Sequence, residues 1–137
     1  MALLFSYSRR SDGSLAPVIP VTLKYKSRTI DAMALLDTGA DITFIPEDIA
    51  GLLGVKYYRG RESMITGIDK ELKCTTHRVD VTFFDGSEKV TVEKVQADVP
   101  KISQKKVGIL LGRKGLLDKF EIRMNEKEDS ISLEYLE

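Results

Sequence analysis

The sequence holds little that could support metal or redox chemistry. It contains one cysteine, Cys74, one histidine, His77, and no tryptophan in 137 residues. A lone cysteine excludes an intrachain disulfide and a cysteine-based zinc cluster. A Ser-His-Asp triad or a His-Cys metal site would rest on His77 alone. Net charge is missing too: 21 basic and 21 acidic residues cancel, which argues against nucleic acid or an acidic membrane as a charge-driven partner. No apolar run approaches membrane-spanning length. The apolar stretch Met1-Ala2-Leu3-Leu4-Phe5 is short and has no basic residue before it, so no secretory signal is expected and the cytoplasm is the expected location.

What remains is an ordinary folding composition, 42% hydrophobic and 31% charged. The length suits one domain spanning residues 1–137. Most of the chain alternates with period two. Ile19, Val21, Leu23 and Tyr25 share one parity, and a turn at Lys26-Ser27-Arg28 leads to Ile30, Ala32, Ala34 and Leu36. Met33 and Leu35 make the end of that second strand apolar on both sides, as in a strand running toward the middle of a domain. Pro46-Glu47-Asp48 reads as a helix first turn, with Ile49, Leu52 and Leu53 at helical spacing and Gly54 as the cap.

Residues 57–76 read as a long hairpin with its tip near Thr66-Gly67-Ile68-Asp69. Val79, Val81 and Phe83 form a further strand, and Asp85-Gly86 a two-residue hairpin turn. The change of parity between Val90-Val92 and Val95-Ala97-Val99 implies a bulge near Glu93-Lys94. Val107–Gly112 is a short buried run, Gly115–Asp118 a helical turn, and Phe120–Met124 and Ile131–Tyr135 the last strands. The fold class is all-β, with one or two short helices.

The chemistry concentrates in Leu35-Leu36-Asp37-Thr38-Gly39-Ala40-Asp41. An acid directly follows a strand buried on both faces, and burying a carboxylate is costly without compensation. The Thr38 hydroxyl and the Gly39 and Ala40 amides can supply hydrogen bonds, and Gly39 permits close approach by another backbone. Asp37 and Asp41 as metal ligands are a weak alternative, since Ala40 and Ile42 add only carbonyls. No metal and no organic cofactor is expected.

Leu36–Asp41 followed by Ile42-Thr43-Phe44-Ile45 resembles the catalytic loop of the retropepsin family, the retroviral-type aspartic proteases. Ile109-Leu110-Leu111-Gly112-Arg113 resembles the family's second signature, an aliphatic run ending in Gly-Arg. Met64-Ile65-Thr66-Gly67-Ile68, on the hairpin between them, resembles its flap. The resemblance implies an acid-protease barrel with one lobe per chain. It makes Asp37 the catalytic carboxylate, Thr38 a bridge between the two active-site loops, and Gly39 a contact to the substrate backbone. Ala40 lies within the loop, and Asp41 and Arg113 form a supporting ion pair. Ile42, Ile65, Thr66, Gly67, Ile68 and Ile109 become candidates for covering and lining the substrate pockets. Lys114-Gly115 departs from the family, which often has Asn or Asp after the arginine.

Peptide hydrolysis by carboxylates needs two of them, sharing a proton. The other Asp-Gly pairs, Asp12-Gly13 and Asp85-Gly86, follow no buried strand. The second carboxylate is therefore expected from a second copy related by a two-fold axis. The expected partners are a second copy of this chain and a peptide or protein substrate. In the resembling family the chain ends interleave between subunits, which would use Leu3-Leu4-Phe5 and Ile131-Leu133-Tyr135. Two rivals remain. A Cys74–His77 dyad is disfavoured because residues three apart on a strand face opposite ways. A retropepsin-like domain that dimerises and binds extended peptides with little turnover is the stronger one.

Overall fold

The computed structural model describes residues 2–56, 60–66, 71–100 and 108–137. Alternating burial along the strands builds a barrel. Strands β1 (Ala2–Phe5), β2 (Ser8–Arg9), β3 (Leu15–Ala16), β4 (Val18–Tyr25), β5 (Arg28–Leu36) and β6 (Thr43–Phe44) precede helix α1 (Glu47–Leu52). Strands β7 (Arg61–Thr66), β8 (Glu71–Phe84), β9 (Lys89–Pro100), β10 (Ile109–Leu111), β11 (Phe120–Asn125) and β12 (Ser130–Tyr135) follow, with a 3-10 turn at Leu117–Lys119 before β11.

Among the described residues the strand order is β4-β5-β10-β6-β9-β8, and β4 also pairs with β8, so the sheet closes on itself. β7 extends β8 outside the closed ring. Ile19, Val21 and Leu23 from β4 meet Val81 and Phe83 from β8 and Leu111 from β10 inside, each at most 3% exposed. This is the interior expected of a small barrel, filled by side chains rather than open.

β8 is one strand of 14 residues, not the hairpin arm and separate strand that the sequence suggests. The bulge falls where parity places it. Val79 pairs with Val95 and Val81 with Val92, so Glu93 and Lys94 oppose Asp80 alone. Lys94 takes φ +55°, and its amide donates to Asp80 Oδ1 at 3.0 Å. The β8–β9 connection runs through Asp85–Glu88, longer than the two-residue turn expected. Asp85 Oδ1 accepts from the Ser87 and Glu88 amides at 2.8 and 2.7 Å.

α1 starts after Pro46 and buries Ala50, and Leu53 directly after it is buried too, each 1% exposed. Leu52, expected on the same face, is 64% exposed. Gly51 lies in this helix with open space where a Cβ would stand. Gly51→Ala should therefore raise stability by about 0.5–1 kcal/mol, read as a higher denaturant midpoint at unchanged slope.

The chain ends are paired with each other. β1 and β11 flank β12 in an antiparallel sheet, with Leu3 opposite Leu133 and Ile122 opposite Leu133. Leu3, Ile131 and Leu133 are fully buried. Phe120 stacks edge-on against Phe83 at 5.4 Å and Tyr135 at 5.5 Å, joining this sheet to the barrel. The terminal strands expected to serve an interface thus pair within one chain. The Leu4 amide on the outer edge of β1 donates to Asp85 Oδ2 at 3.0 Å, which blunts that edge.

Candidate active site

β5 carries the chain through the sheet between β4 and β10, and Asp37 follows it at once. Ala34 and Leu36 are buried, while Leu35 and Asp37 share the other side and are half-buried. Parallel pairing sets Ile109, Leu110 and Leu111 beside Ala34, Leu35 and Leu36. The Asp37 amide continues that ladder to the Leu111 carbonyl at 3.1 Å.

The loop is then held from within and from across. The Gly39 amide donates to Asp37 Oδ1 at 3.0 Å. The Ala40 amide donates to the Asp37 backbone carbonyl at 3.1 Å, not to the carboxylate as expected. From the segment after β10, the Arg113 amide donates to the Ala40 carbonyl at 3.0 Å and the Lys114 amide to the Asp41 carbonyl at 2.8 Å. The Gly112 amide donates to the buried Thr43 Oγ1 at 3.0 Å. The Arg113 guanidinium pairs with the Asp41 carboxylate. Both partners are more than half exposed, so this pair orients two loops more than it stabilises the fold.

A cavity of about 280 Å³ lies on Asp37's side of β5, lined by Arg10, Val18, Met33, Leu35, Gly108, Ile109 and Leu110. Ile109, expected as a pocket residue, lines this cavity although it is only 2% exposed and packs with the core. Leu35 and Leu110, on the opposite parity, present the open surface. The signal was in the sequence: Leu35 has the same parity as Asp37. Ile42 is half-buried, and its backbone is the surface against which Gly112 packs. Thr38 is exposed. Ile65 and Thr66 belong to β7, which pairs with β8 from Arg61–Thr76 to Thr66–Glu71. Gly67 and Ile68 lie outside the described residues, as does the hairpin tip.

The other Asp-Gly sites are committed to turns. The Ser14 hydroxyl and amide bind Asp12 Oδ1 and hold its carboxyl below the usual range. Amides of Glu88, Leu4 and Ser87 do the same for Asp85. Among the described residues no group of three or more His, Cys, Asp and Glu side chains could hold a metal ion, and no helix is long and apolar enough to cross a membrane.

Cys74 and His77 do not form a dyad. Cys74 is buried, and burial together with the Asp98 charge pushes its thiol up to about 11, far from a nucleophile. His77 Nε2 meets Thr75 Oγ1 at 2.8 Å. Gly60 covers the ring so closely that a Cβ there would lie 2.6 Å from Nε2. Burial pulls His77 below its ordinary 6.5, with Asp98 opposing. Burial raises Asp98 above 3.8, opposed by the Thr76 bond and by His77.

These two groups act on stability with opposite sign. As pH falls through 6.5, the unfolded chain takes up the His77 proton before the native chain does, so stability drops. The Asp98 contribution is present in full below 3.8 and lost as pH rises through its raised native value. The denaturant midpoint should therefore fall between about pH 7 and pH 5, and His77→Gln should flatten that fall.

The sequence profile of the aspartyl protease family matches residues 20–114, more than half of the chain and inclusive of both loops at Asp37 and Arg113. The chain belongs to the aspartyl protease family. A search of curated proteins found no match. Among solved structures, a retropepsin-like aspartic protease from Rickettsia conorii superposes with a TM-score of 0.67 at 20% identity, covering 98% of this chain and 92% of the other. The barrel is therefore retropepsin-like. The family match runs from residue 20 to just past Arg113, so the terminal sheet of β1, β11 and β12 lies outside it, while the structural match spans nearly the whole chain.

Proposed function

We propose that the protein is an aspartic endopeptidase that acts as a homodimer, with one Asp37 from each chain. The observation that carries this reading is the Asp37-Thr38-Gly39 loop. It emerges from the barrel with Asp37 half-buried, its carboxylate bonded by the Gly39 amide, and on the parity of β5 that faces the cavity. One chain supplies one such loop, and a two-fold axis brings its copy alongside at no cost in sequence.

In the dimer the two carboxyls share one proton. The ionised one takes a proton from a water held between them, and the water oxygen attacks the peptide carbonyl carbon. The protonated one gives its proton to the carbonyl oxygen. In the second half, the amide nitrogen takes a proton from the carboxyl that received it, the C–N bond breaks, and one diol hydroxyl returns its proton to the other, now ionised, carboxylate as the diol collapses to the acid. No step uses a metal or an organic group. Gly39, exposed beside Asp37, lets the substrate backbone approach. Arg113 and Asp41 keep the two loops in register. The β7–β8 hairpin, carrying Ile65 and Thr66, is suited to pair with an extended substrate and exclude water. Leu35 and Leu110 in the cavity wall favour apolar side chains beside the scissile bond.

A mixed library of unstructured peptides, incubated at about pH 3 to 7 and mapped by mass spectrometry, tests this. Cleavage on the acid side of neutrality, with apolar residues flanking the cut bond, is the expected result. Peptide binding without cleavage at every pH would make the domain a dimerising peptide-binding module instead.

A further inference from the structure

The outward face of β5 extends well beyond the cleft wall. Asp31, Met33 and Leu35 alternate with core residues and lie on the side of the strand where Asp37 emerges. Register sets Pro20 opposite Met33. Val21 pairs with Phe83 and Thr22 with Thr82, so Phe84 falls next to Pro20 on the same outer face. Met33 and Phe84 are each 52% exposed. Together these side chains wall a groove of about 480 Å³ with Thr22, Asp31 and Thr82 in its floor.

The polar groups of that floor are already paired. Thr22 Oγ1 donates to Asp31 Oδ1 at 2.6 Å, and the Thr82 and Thr91 hydroxyls meet at 2.8 Å. Selection is left to the apolar walls and to the Asp31 charge, in a volume typical of a small binding site. Met33 also lines the smaller cavity at Leu35, two residues before Asp37, so the two adjoin across one side chain.

We propose that this groove extends the substrate cleft and takes an apolar side chain of the extended polypeptide, about four to six residues from the scissile bond. The assignment rests on the protease reading of Asp37. The distance follows from the strand itself: Met33 and Asp31 precede Asp37 by about 13 and 20 Å at a rise of about 3.3 Å per residue, and an extended substrate advances at the same rate. Met33 adapts to Leu, Met or Phe in the substrate. The Asp31 carboxylate in the floor disfavours an acidic residue there. A two-fold dimer carries one groove on each side of the cut, so the preference applies to both flanks.

The test compares two peptides with the same cleavable core. One ends about three residues either side of the cut, and the other continues to leucines at about positions four to six on both flanks. The wild type should cleave the longer peptide with a KM about tenfold lower. Phe84→Ser should erase that difference while leaving both constants for the core peptide unchanged, and Phe84→Leu should restore it. Placing Asp at the same positions should mimic Phe84→Ser in the wild type. Equal KM for both peptides in the wild type, or an equal shift of both in Phe84→Ser, overturns the assignment. A sedimentation change in Phe84→Ser also overturns it, by making the groove an interface between copies. Failure of the wild type to cleave either peptide is a different result: it removes the protease reading itself, whatever residue stands at 84.

Discussion

Asp37→Asn is expected to lower kcat for peptide hydrolysis by at least about a thousandfold, equivalent to about 4 kcal/mol of transition-state stabilisation. In a dimer of the variant both carboxyls are gone, so neither the base nor the acid remains. Asparagine keeps nearly the same volume, and its amide oxygen can still accept the Gly39 amide that now binds Asp37 Oδ1. The loop bonds from Ala40, Arg113 and Lys114 use backbone groups and are untouched. Thermal unfolding should therefore move little, because Asp37 is only half-buried and contributes no core packing. Activity and stability separate in this variant, which distinguishes a chemical role from a structural one. A variant that lost activity together with its fold would instead mark Asp37 as a structural residue.

Gly112→Ala is expected to do the reverse, destabilising the fold by about 3 kcal/mol and removing activity as a consequence. A Cβ at Gly112 would stand 2.6 Å from the Ile42 carbonyl oxygen and 2.7 Å from the Thr43 nitrogen. Those atoms are backbone and have no rotamer by which to move aside. Relief requires β10 to shift away from β6. That shift breaks the bond from the Gly112 amide to the buried Thr43 Oγ1 and pulls on the Arg113 and Lys114 amides that hold the Asp37 loop. A buried hydroxyl left without its partner adds to the cost. Denaturant unfolding measures the first effect and peptide cleavage the second. Gly51→Ala, with open space around the new methyl, is the matched control.

The features legible in the sequence are those encoded within a few consecutive residues. Asp37-Thr38-Gly39 after an apolar strand is local, and so is Gly112-Arg113 after an aliphatic run. The parity change at Glu93-Lys94 revealed a bulge because two halves of one strand carry their own alternation. The hairpin of β7 and β8 announced itself in the same way.

What escaped depends on pairing between distant segments. Nothing near Val21 or Phe83 indicates that β4 and β8 close the barrel. Nothing near Leu3 indicates that it docks on Leu133 of its own chain. Ile109 and Leu110 are equally apolar, and only the parallel register with β5 decides that Ile109 is buried while Leu110 stays half-exposed at the cavity. Leu52 shows the same limit on a short helix, where spacing named a face and packing used Ala50 instead.

The terminal sheet constrains how two copies meet. β1 lies on its own β12, and Asp85 caps the β1 edge. The dimer proposed here brings together the loops around Asp37, and in this chain β1, outside its bond to Asp85, and β11 are the edges of the terminal sheet that lie open to a second copy. The exposed Thr38 and Gly39 and the accessible Arg113–Asp41 pair are what that region offers a second copy.

A subunit-mixing assay tests the shared active site most directly. Wild-type chain at fixed concentration is mixed with increasing Asp37→Asn chain, and cleavage of one mapped peptide is followed after exchange. The shared site predicts that activity falls as mixed dimers form, approaching zero with excess variant. Activity that stays constant however much variant is added would contradict it, because a wild-type chain would then be cleaving with its own Asp37 alone.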